Sequence, residues 1–311
     1  MEKKVFISAS TFAEYGRKPL DLLDEAEFSY SINPLGRRLV HDEVVKMGQG
    51  CEGVIAGLEP YDEYVIDNLP SLKCISRCGV GLDNVALEKA GQKGIKVFNT
   101  PDVVTQPVAE LTIAMIFDVL RGLSFYTAAL RAGKWKKQAG NLLGGVKIGI
   151  LGAGRIGKRV AEILSGLGAQ VYCCDVRPDN KWAEEKRIEF VAVDELLIYC
   201  DILSIHLSDN TDNSFKLDEE KIAAMKKGAA IINTSRGKFI DEEALYKALK
   251  NSHLSAAALD VFSKEPYSGN LCKLDNVILT PHIATLTRQS RLQMEVEAAE
   301  NLIGYLTDKK I

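Results

Sequence analysis

Three residues far apart in the chain are of types that together could move a proton and a hydride: Arg236 in Asn233-Thr-Ser-Arg-Gly237, Glu265 in Leu259-Asp-Val-Phe-Ser-Lys-Glu-Pro266, and His282 in Thr280-Pro-His-Ile-Ala284. A guanidinium is a planar fork that can grip a carboxylate and a neighbouring carbonyl oxygen together. An imidazole titrates near neutrality, so His282 could give or take a proton at a hydroxyl or carbonyl oxygen. A carboxylate on its other ring nitrogen would fix the tautomer and stabilise the imidazolium, a role open to Glu265. Alone, each residue type is most often structural or solvated. As a set they suit proton transfer at an oxygen beside a carboxylate, joined to a hydride transfer if a hydride carrier is at hand.

The carrier has its own signature. Lys147-Ile-Gly-Ile-Leu-Gly-Ala-Gly-Arg-Ile-Gly157 passes from a strand-like run through spaced glycines into a helical pattern, with Asp175 eighteen residues beyond the last glycine. Gly152 permits the tight turn, Gly154 lets a pyrophosphate approach the backbone, and Gly157 lets helix and strand pack closely. The helix N-terminus then offers free amides and a positive dipole end to the phosphates. Asp175 could accept bonds from both ribose hydroxyls and repel a 2′-phosphate, which favours NAD, although Arg177 is the kind of residue an NADP site uses.

The elements that must position these residues alternate in type. From Val5 to Phe98, short β-branched runs (Val5 to Ser8, Gly53 to Ala56, Leu72 to Ser76, Ile95 to Phe98) alternate with helical patterns at Leu20 to Ala26 and Val85 to Gln92, the signal of a parallel sheet. A helix over Pro107 to Arg121, with Thr105 as a cap, leads out of this domain. A second alternation from Lys147 to Leu279 fits a doubly wound sheet. Arg288 to Leu306 is helical in period and returns to the first domain. The expected fold is α/β, with a doubly wound NAD-binding sheet (100–286) inserted into a smaller flavodoxin-like parallel-sheet domain (1–99 plus 287–311).

Bulk properties narrow the function classes. At 311 residues two cores are the better expectation. A formal net charge of −3 gives no reason to expect nucleic acid or an anionic membrane as partner. No apolar run approaches the roughly 18 residues that cross a bilayer, and no signal peptide is recognisable, so the expected location is the cytoplasm. Seven cysteines without a Cys-x-x-Cys pair and four scattered histidines point to neither a disulfide nor a metal site. In Cys78-Gly-Val-Gly-Leu-Asp-Asn84, the turn around Val80 and Gly81 could present amides to a substrate carboxylate.

Together with that segment and Val108-Ala-Glu110, the motifs above resemble those of the D-isomer-specific 2-hydroxyacid dehydrogenases, in consistent order from about Leu72 to Met294. The likeness is greatest to the phosphoglycerate dehydrogenases, without an appended regulatory domain. The resemblance implies Arg236, Glu265 and His282 as the catalytic residues. It also implies NAD held by Gly152, Gly154, Arg155, Ile156, Gly157, Asp175, Leu207, Thr234, Asp260 and Ala284, with His206 lining the cofactor. Substrate would be bound by Arg77, Val80, Gly81 and Arg236, and a homodimer would form through the region Pro107 to Lys137. Arg77 and Lys137 match basic positions that serve a phosphate, while Val104 stands where several members carry a polar residue. The expected substrate pair is therefore 3-phosphoglycerate and phosphohydroxypyruvate, as in serine biosynthesis. The alternatives are a glyoxylate/hydroxypyruvate or D-lactate type of dehydrogenase, or a non-enzymatic NAD-sensing corepressor-like protein. Formate dehydrogenases of the same superfamily carry Gln where Glu265 stands. His41 and His253 read as surface residues.

Overall fold

The computed structural model describes residues 3–208 and 215–307. The chain divides into two units, Met1–Val104 with Thr285–Ile311, and Thr105–Ala284. The expected second segment of the first unit, 287–311, ends in residues 308–311, which lie outside the described ones. No helix among the described residues is long and apolar enough to cross a membrane.

The first unit is built on five parallel strands: β1 (Lys4–Ile7), β2 (Ser29–Ile32), β3 (Gly53–Ala56), β4 (Cys74–Arg77) and β5 (Lys96–Phe98). Their order is β2-β1-β3-β4-β5, the flavodoxin-like arrangement. Phe6, Val54, Ile75, Val65 and Ile66 form its core with the fully buried Tyr61. The terminal helix Arg288–Thr307 lies against β3 and β4 and the helix Lys18–Glu25, so the last stretch of chain completes the unit begun by the first. The loops that follow β1, β3 and β4 gather at the carboxyl edge of the sheet, where ligands of open α/β sheets bind.

The second unit holds seven parallel strands: β6 (Lys147–Leu151), β7 (Gln170–Cys174), β8 (Glu189–Phe190), β9 (Ile202–Ile205), β10 (Ala230–Asn233), β11 (Ala256–Leu259) and β12 (Val277–Leu279). Their order, β12-β11-β10-β9-β6-β7-β8, reverses direction at β6 beside β9, which makes a doubly wound sheet with its switch point there. Alternate residues feed two buried layers. Leu203, Ile205, Ile231, Ala257 and Leu259 point to one face, and Ile202, Ala230, Ile232 and Ala258 to the other. Burial on both faces explains why these strands read as continuous apolar runs. The helix Thr105–Arg121 belongs to this unit and packs Ala109, Met115, Ile116 and Leu120 into the second layer. Thr105 is its first helical residue rather than a flanking cap, and Pro107 occupies the first turn, where a missing N–H is harmless.

Candidate active site

His282 sits three residues past the end of β12, in a turn it could not hold unaided. Its φ is 54°, in the left-handed region that non-glycine residues seldom adopt, although histidine is among the more tolerant. The turn is pinned by Asp260, which directly follows β11 and is fully buried. One carboxylate oxygen of Asp260 accepts from Thr280 Oγ1 at 2.6 Å and from the Ile283 amide at 2.8 Å, and the other accepts from the Ala284 amide at 2.9 Å. The Asp260 carbonyl takes the amide of His282 itself at 2.9 Å. The carboxylate is thus wholly engaged by the turn that carries His282.

With the backbone so fixed, the His282 Nδ1–H donates to Glu265 Oε2 at 2.9 Å. Glu265 Oε1 accepts the Phe262 amide at 3.2 Å. Burial alone would raise the Glu265 carboxyl, but the hydrogen bond and charge of His282, the Phe262 amide and the Arg236 guanidinium together hold it below the usual carboxylate range. The pair is about one-third exposed, 36% for His282 and 33% for Glu265. Ring and carboxylate are therefore both held and reachable.

Arg236 follows β10 in a loop shaped by Asn233, whose Oδ1 accepts the Ser235 amide and hydroxyl and whose Nδ2 donates to the Arg236 carbonyl. The next residue must be glycine. A Cβ on Gly237 would lie 1.9 Å from the carbonyl carbon of Phe262 and 2.3 Å from the amide nitrogen of Ser263. This contact between backbones sets the Arg236 loop against the loop bearing Glu265. Structure therefore brings Glu265 to His282 directly and Arg236 within electrostatic reach of Glu265.

The nucleotide turn lies in the same unit. Gly152 has φ 95°, and a Cβ there would meet the His206 carbonyl oxygen at 2.7 Å. A Cβ on Gly157 would fall 1.9 Å from the Gly152 oxygen, whereas one on Gly154 would meet nothing within 4 Å. The empty space above Gly154 faces the start of the helix Arg155–Gly166, which has no side-chain cap. The first-turn amides of Arg155, Ile156 and Gly157 are thus suited to phosphate oxygens. Asp175 accepts the Ala153 amide at 2.7 Å and the Arg177 amide at 2.8 Å, one on each oxygen. Each oxygen keeps a lone pair for a ribose hydroxyl. These residues fit a dinucleotide.

Other expected contacts are placed differently. Thr234 is buried, and its hydroxyl donates to Thr112 Oγ1 at 2.9 Å, since Thr112 itself donates to the Val108 carbonyl. Its side chain therefore ties β10 to the helix Thr105–Arg121. Leu207 packs against the first apolar layer. His206 has an enclosed ring: Nε2 is 2.8 Å from Ser204 Oγ, and Nδ1 is buried without a partner among the described residues. Burial pushes its pKa down to about 3, so the ring stays neutral. His253 is not a surface residue as expected, because its Nε2 lies 2.9 Å from the Ile222 carbonyl in a half-buried position. His41 is half exposed and pairs with Asp62 at 2.8 Å.

In the first unit, the Gly79 amide donates to Thr100 Oγ1 at 2.8 Å. Of the loop's amides, those of Val80 and Gly81 have no such bond to a described residue. The Arg77 guanidinium folds back over Gly79, with Nη1 only 1.6 Å from where a Cβ would stand. Asn84 ties the loop to its neighbour by donating from Nδ2 to the Glu59 carbonyl at 2.5 Å. Asn84, Thr280 and Thr112 drew no role from the sequence, although Asn84 and Thr280 lie inside motifs quoted there. Among the described residues no group of three or more His, Cys, Asp or Glu could hold a metal ion.

The chain is similar to known proteins over most of its length. A family model described as "D-isomer specific 2-hydroxyacid dehydrogenase, NAD binding domain" matches residues 113–284. The chain is 41% identical to the glyoxylate reductase of Thermofilum pendens over 256 residues, 79% of this chain and 75% of that one. It is 37% identical to the hydroxypyruvate reductase of Thermotoga maritima over 249 residues, 78% and 80% of the two chains. The crystal structure of the TT0316 protein from Thermus thermophilus superimposes with a TM-score of 0.90 at 34% identity, covering 99% of this chain and 98% of that one. These relatives bear the names of glyoxylate and hydroxypyruvate reductases and lend no support to the finer expectation of a likeness to phosphoglycerate dehydrogenases.

Proposed function

Because this chain belongs to the D-isomer-specific 2-hydroxyacid dehydrogenases and is NAD-dependent, we propose that it reduces a short, unphosphorylated 2-oxo acid of the glyoxylate or hydroxypyruvate kind. The observation that carries this reading is the Nδ1–Oε2 contact of 2.9 Å between His282 and Glu265, with Arg236 close enough to act on the same carboxylate. The names of the relatives support the choice of acid.

NADH at the Gly152–Gly157 turn supplies the hydride when bound. The chain's own residues do the rest. Arg236 grips the substrate carboxylate and polarises the C2 carbonyl. With Nδ1 engaged by Glu265, His282 delivers its proton from Nε2 to the C2 oxygen as it becomes a hydroxyl. Glu265 holds the tautomer and stabilises the ring before the proton leaves. Asp260 and Ala284 act on the cofactor side by keeping the His282 turn in place, while Thr234 and Leu207 offer backbone rather than side-chain contacts. We assign the unit Met1–Val104 with Thr285–Ile311 to the substrate, through the amides of Val80 and Gly81 and the charge of Arg77.

Two wider assignments belong with this reading. The helix Leu123–Arg131 buries none of its residues, and Phe125, Leu130 and Trp135 are exposed, Trp135 to 79%, which supports a homodimer formed through the region Pro107 to Lys137. Seven free cysteines suit a reducing compartment such as the cytoplasm.

The test is oxidation of NADH by the purified protein with glyoxylate, hydroxypyruvate, pyruvate and phosphohydroxypyruvate. Glyoxylate or hydroxypyruvate should give the highest kcat/KM. A preference for phosphohydroxypyruvate would overturn the choice of acid, and no turnover with any of the four would overturn the enzymatic reading.

A further inference from the structure

Glu265 lies in a loop whose first two residues, Phe262 and Ser263, pack their backbone against Gly237. Residues Ser263 to Pro266 are exposed, so the carboxylate's position depends on what closes the loop at either end. On one side the Ser263 amide donates to Glu242 Oε1 at 2.7 Å. At the two ends the rings of Phe262 and Tyr267 stack, with centroids 4.3 Å apart and planes inclined by 17°. Both rings also rest against the apolar layer beneath β9, β10 and β11. The Tyr267 hydroxyl accepts the Leu271 amide at 3.3 Å. It sits over Gly269, where a Cβ would come within 2.3 Å of the hydroxyl.

We propose that Tyr267 is a positioning residue for the proton-transfer pair: stacked on Phe262, it closes the loop 262–267 and so keeps the Glu265 carboxylate on His282 Nδ1. The inference rests on His282 being the proton donor proposed above. Two contacts converge on one residue. Phe262 presents its amide to Glu265 Oε1 and its ring to Tyr267, so the residue that orients the carboxylate is the one the tyrosine clamps. If the stack opens, the Phe262 amide is freed to swing and Glu265 loses one of its two anchors.

The consequence appears in the pH dependence. The charged groups around His282 are Glu265 on its Nδ1, Arg236 from the loop after β10, which acts on Glu265, and Asp260 under the His282 turn. Glu242 and Glu243, from the helix Glu242–Lys250, face the tyrosine. Of these, only the Glu265 contact depends on the stack. An imidazolium that loses its carboxylate partner gives up its proton more readily, so a loosened loop should move the alkaline limb of reductive activity to lower pH.

The experiment compares the unsubstituted protein with Tyr267→Ala, Tyr267→Phe and Phe262→Leu. In glyoxylate reduction, Tyr267→Ala should lower kcat about tenfold, short of the ~10²-fold loss for a 1 Å misplacement. Its alkaline limb should shift to lower pH, and KM for NADH should not change. Tyr267→Phe keeps the ring and should behave as the unsubstituted protein. Phe262→Leu keeps apolar volume without a ring and should reproduce the alanine phenotype, which covers the case in which Tyr267→Ala fails to fold. NMR titration of the four histidines, with His282 identified by His282→Asn, gives a readout that needs no turnover. The His282 signal should titrate at lower pH in Tyr267→Ala and Phe262→Leu. An unchanged titration in both overturns the positioning role, whereas lack of turnover by the unsubstituted protein strikes only the functional reading.

Discussion

Substituting Gly237 by alanine tests whether the approach of two backbones assembles the reactive groups. The new Cβ would stand 1.9 Å from the Phe262 carbonyl carbon and 2.3 Å from both the Phe262 oxygen and the Ser263 nitrogen. Ordinary carbon contact lies near ~3.5 Å, so one loop must retreat by about 1.5 Å. All three obstructing atoms are backbone, so no rotamer change relieves the clash. The retreat separates Arg236 from Glu265, because the two residues flank the contact. A misplacement of 1 Å costs about 10²-fold in rate, so kcat/KM for the 2-oxo acid should fall by at least that factor. Overpacking should also lower stability by about 1–3 kcal/mol. The nucleotide turn lies outside this contact, so NADH affinity should hold. Steady-state kinetics, thermal unfolding and NADH titration measure the three quantities separately. A folded Gly237→Ala protein with undiminished kcat/KM would refute the idea that this approach sets the site.

Three further substitutions probe other parts of the site. Gly154→Ala places a methyl group where no atom lies within 4 Å; it should leave the unfolding temperature nearly unchanged yet weaken NADH binding at least about tenfold by filling room needed for phosphate, and equal NADH affinity would remove the phosphate site from that turn. Glu265→Gln keeps a hydrogen-bond acceptor for Nδ1–H but removes the charge, so the alkaline limb of kcat/KM for reduction should move down by roughly one pH unit; an unmoved limb would separate Glu265 from proton transfer. His206 is neutral when folded, with its pKa depressed to about 3 by burial, whereas the unfolded chain protonates it below its ordinary value of ~6.5. Its contribution to stability is therefore complete above that value and lost as pH falls toward 3, by at most ~1.4 kcal/mol per pH unit. Urea unfolding between pH 4 and 7 should show a shallower acid slope for His206→Gln, and an unaltered slope would mean that the ring is solvated.

The strands of the larger sheet were legible because burial on both faces leaves uninterrupted apolar runs, as in Ile148 to Leu151 and Ala230 to Ile232. Shorter elements were not. Strand β8 has two residues, and the helices Asn180–Lys186 and Glu219–Ala224 have seven and six, too few turns for a period to show. Each helix did carry a local signal, since Asp179 accepts the Trp182 amide and Asp218 the Lys221 amide as N-caps. The half-exposed strand β2, Ser29–Ile32, has a mixed pattern suited to a sheet edge. Within the site, residue types and turn glycines were legible, but the partners that hold them were not. Thr112 and Thr234 meet across 122 positions, and Asp260 reaches Ala284 across 24. Local composition leaves no mark of such pairings.

The site divides its work between residues that must stay reachable and residues that must not move. His282 and Glu265 keep about a third of their side-chain surface, as proton exchange with a substrate requires, while Asp260 keeps none. The division follows from the backbone at His282. A non-glycine residue at φ 54° costs on the order of 1–3 kcal/mol, and an exposed turn would relax out of that conformation if nothing opposed it. Three bonds to one buried carboxylate, each to a charged acceptor and worth about 1.5–3 kcal/mol, exceed that cost. They are formed on Thr280, Ile283 and Ala284, which flank His282 in the chain. The imidazole is consequently aimed by the turn that its neighbours form, with Nε2 bonded to none of the described residues, so the strain at this position and the availability of the proton have a common origin in Asp260.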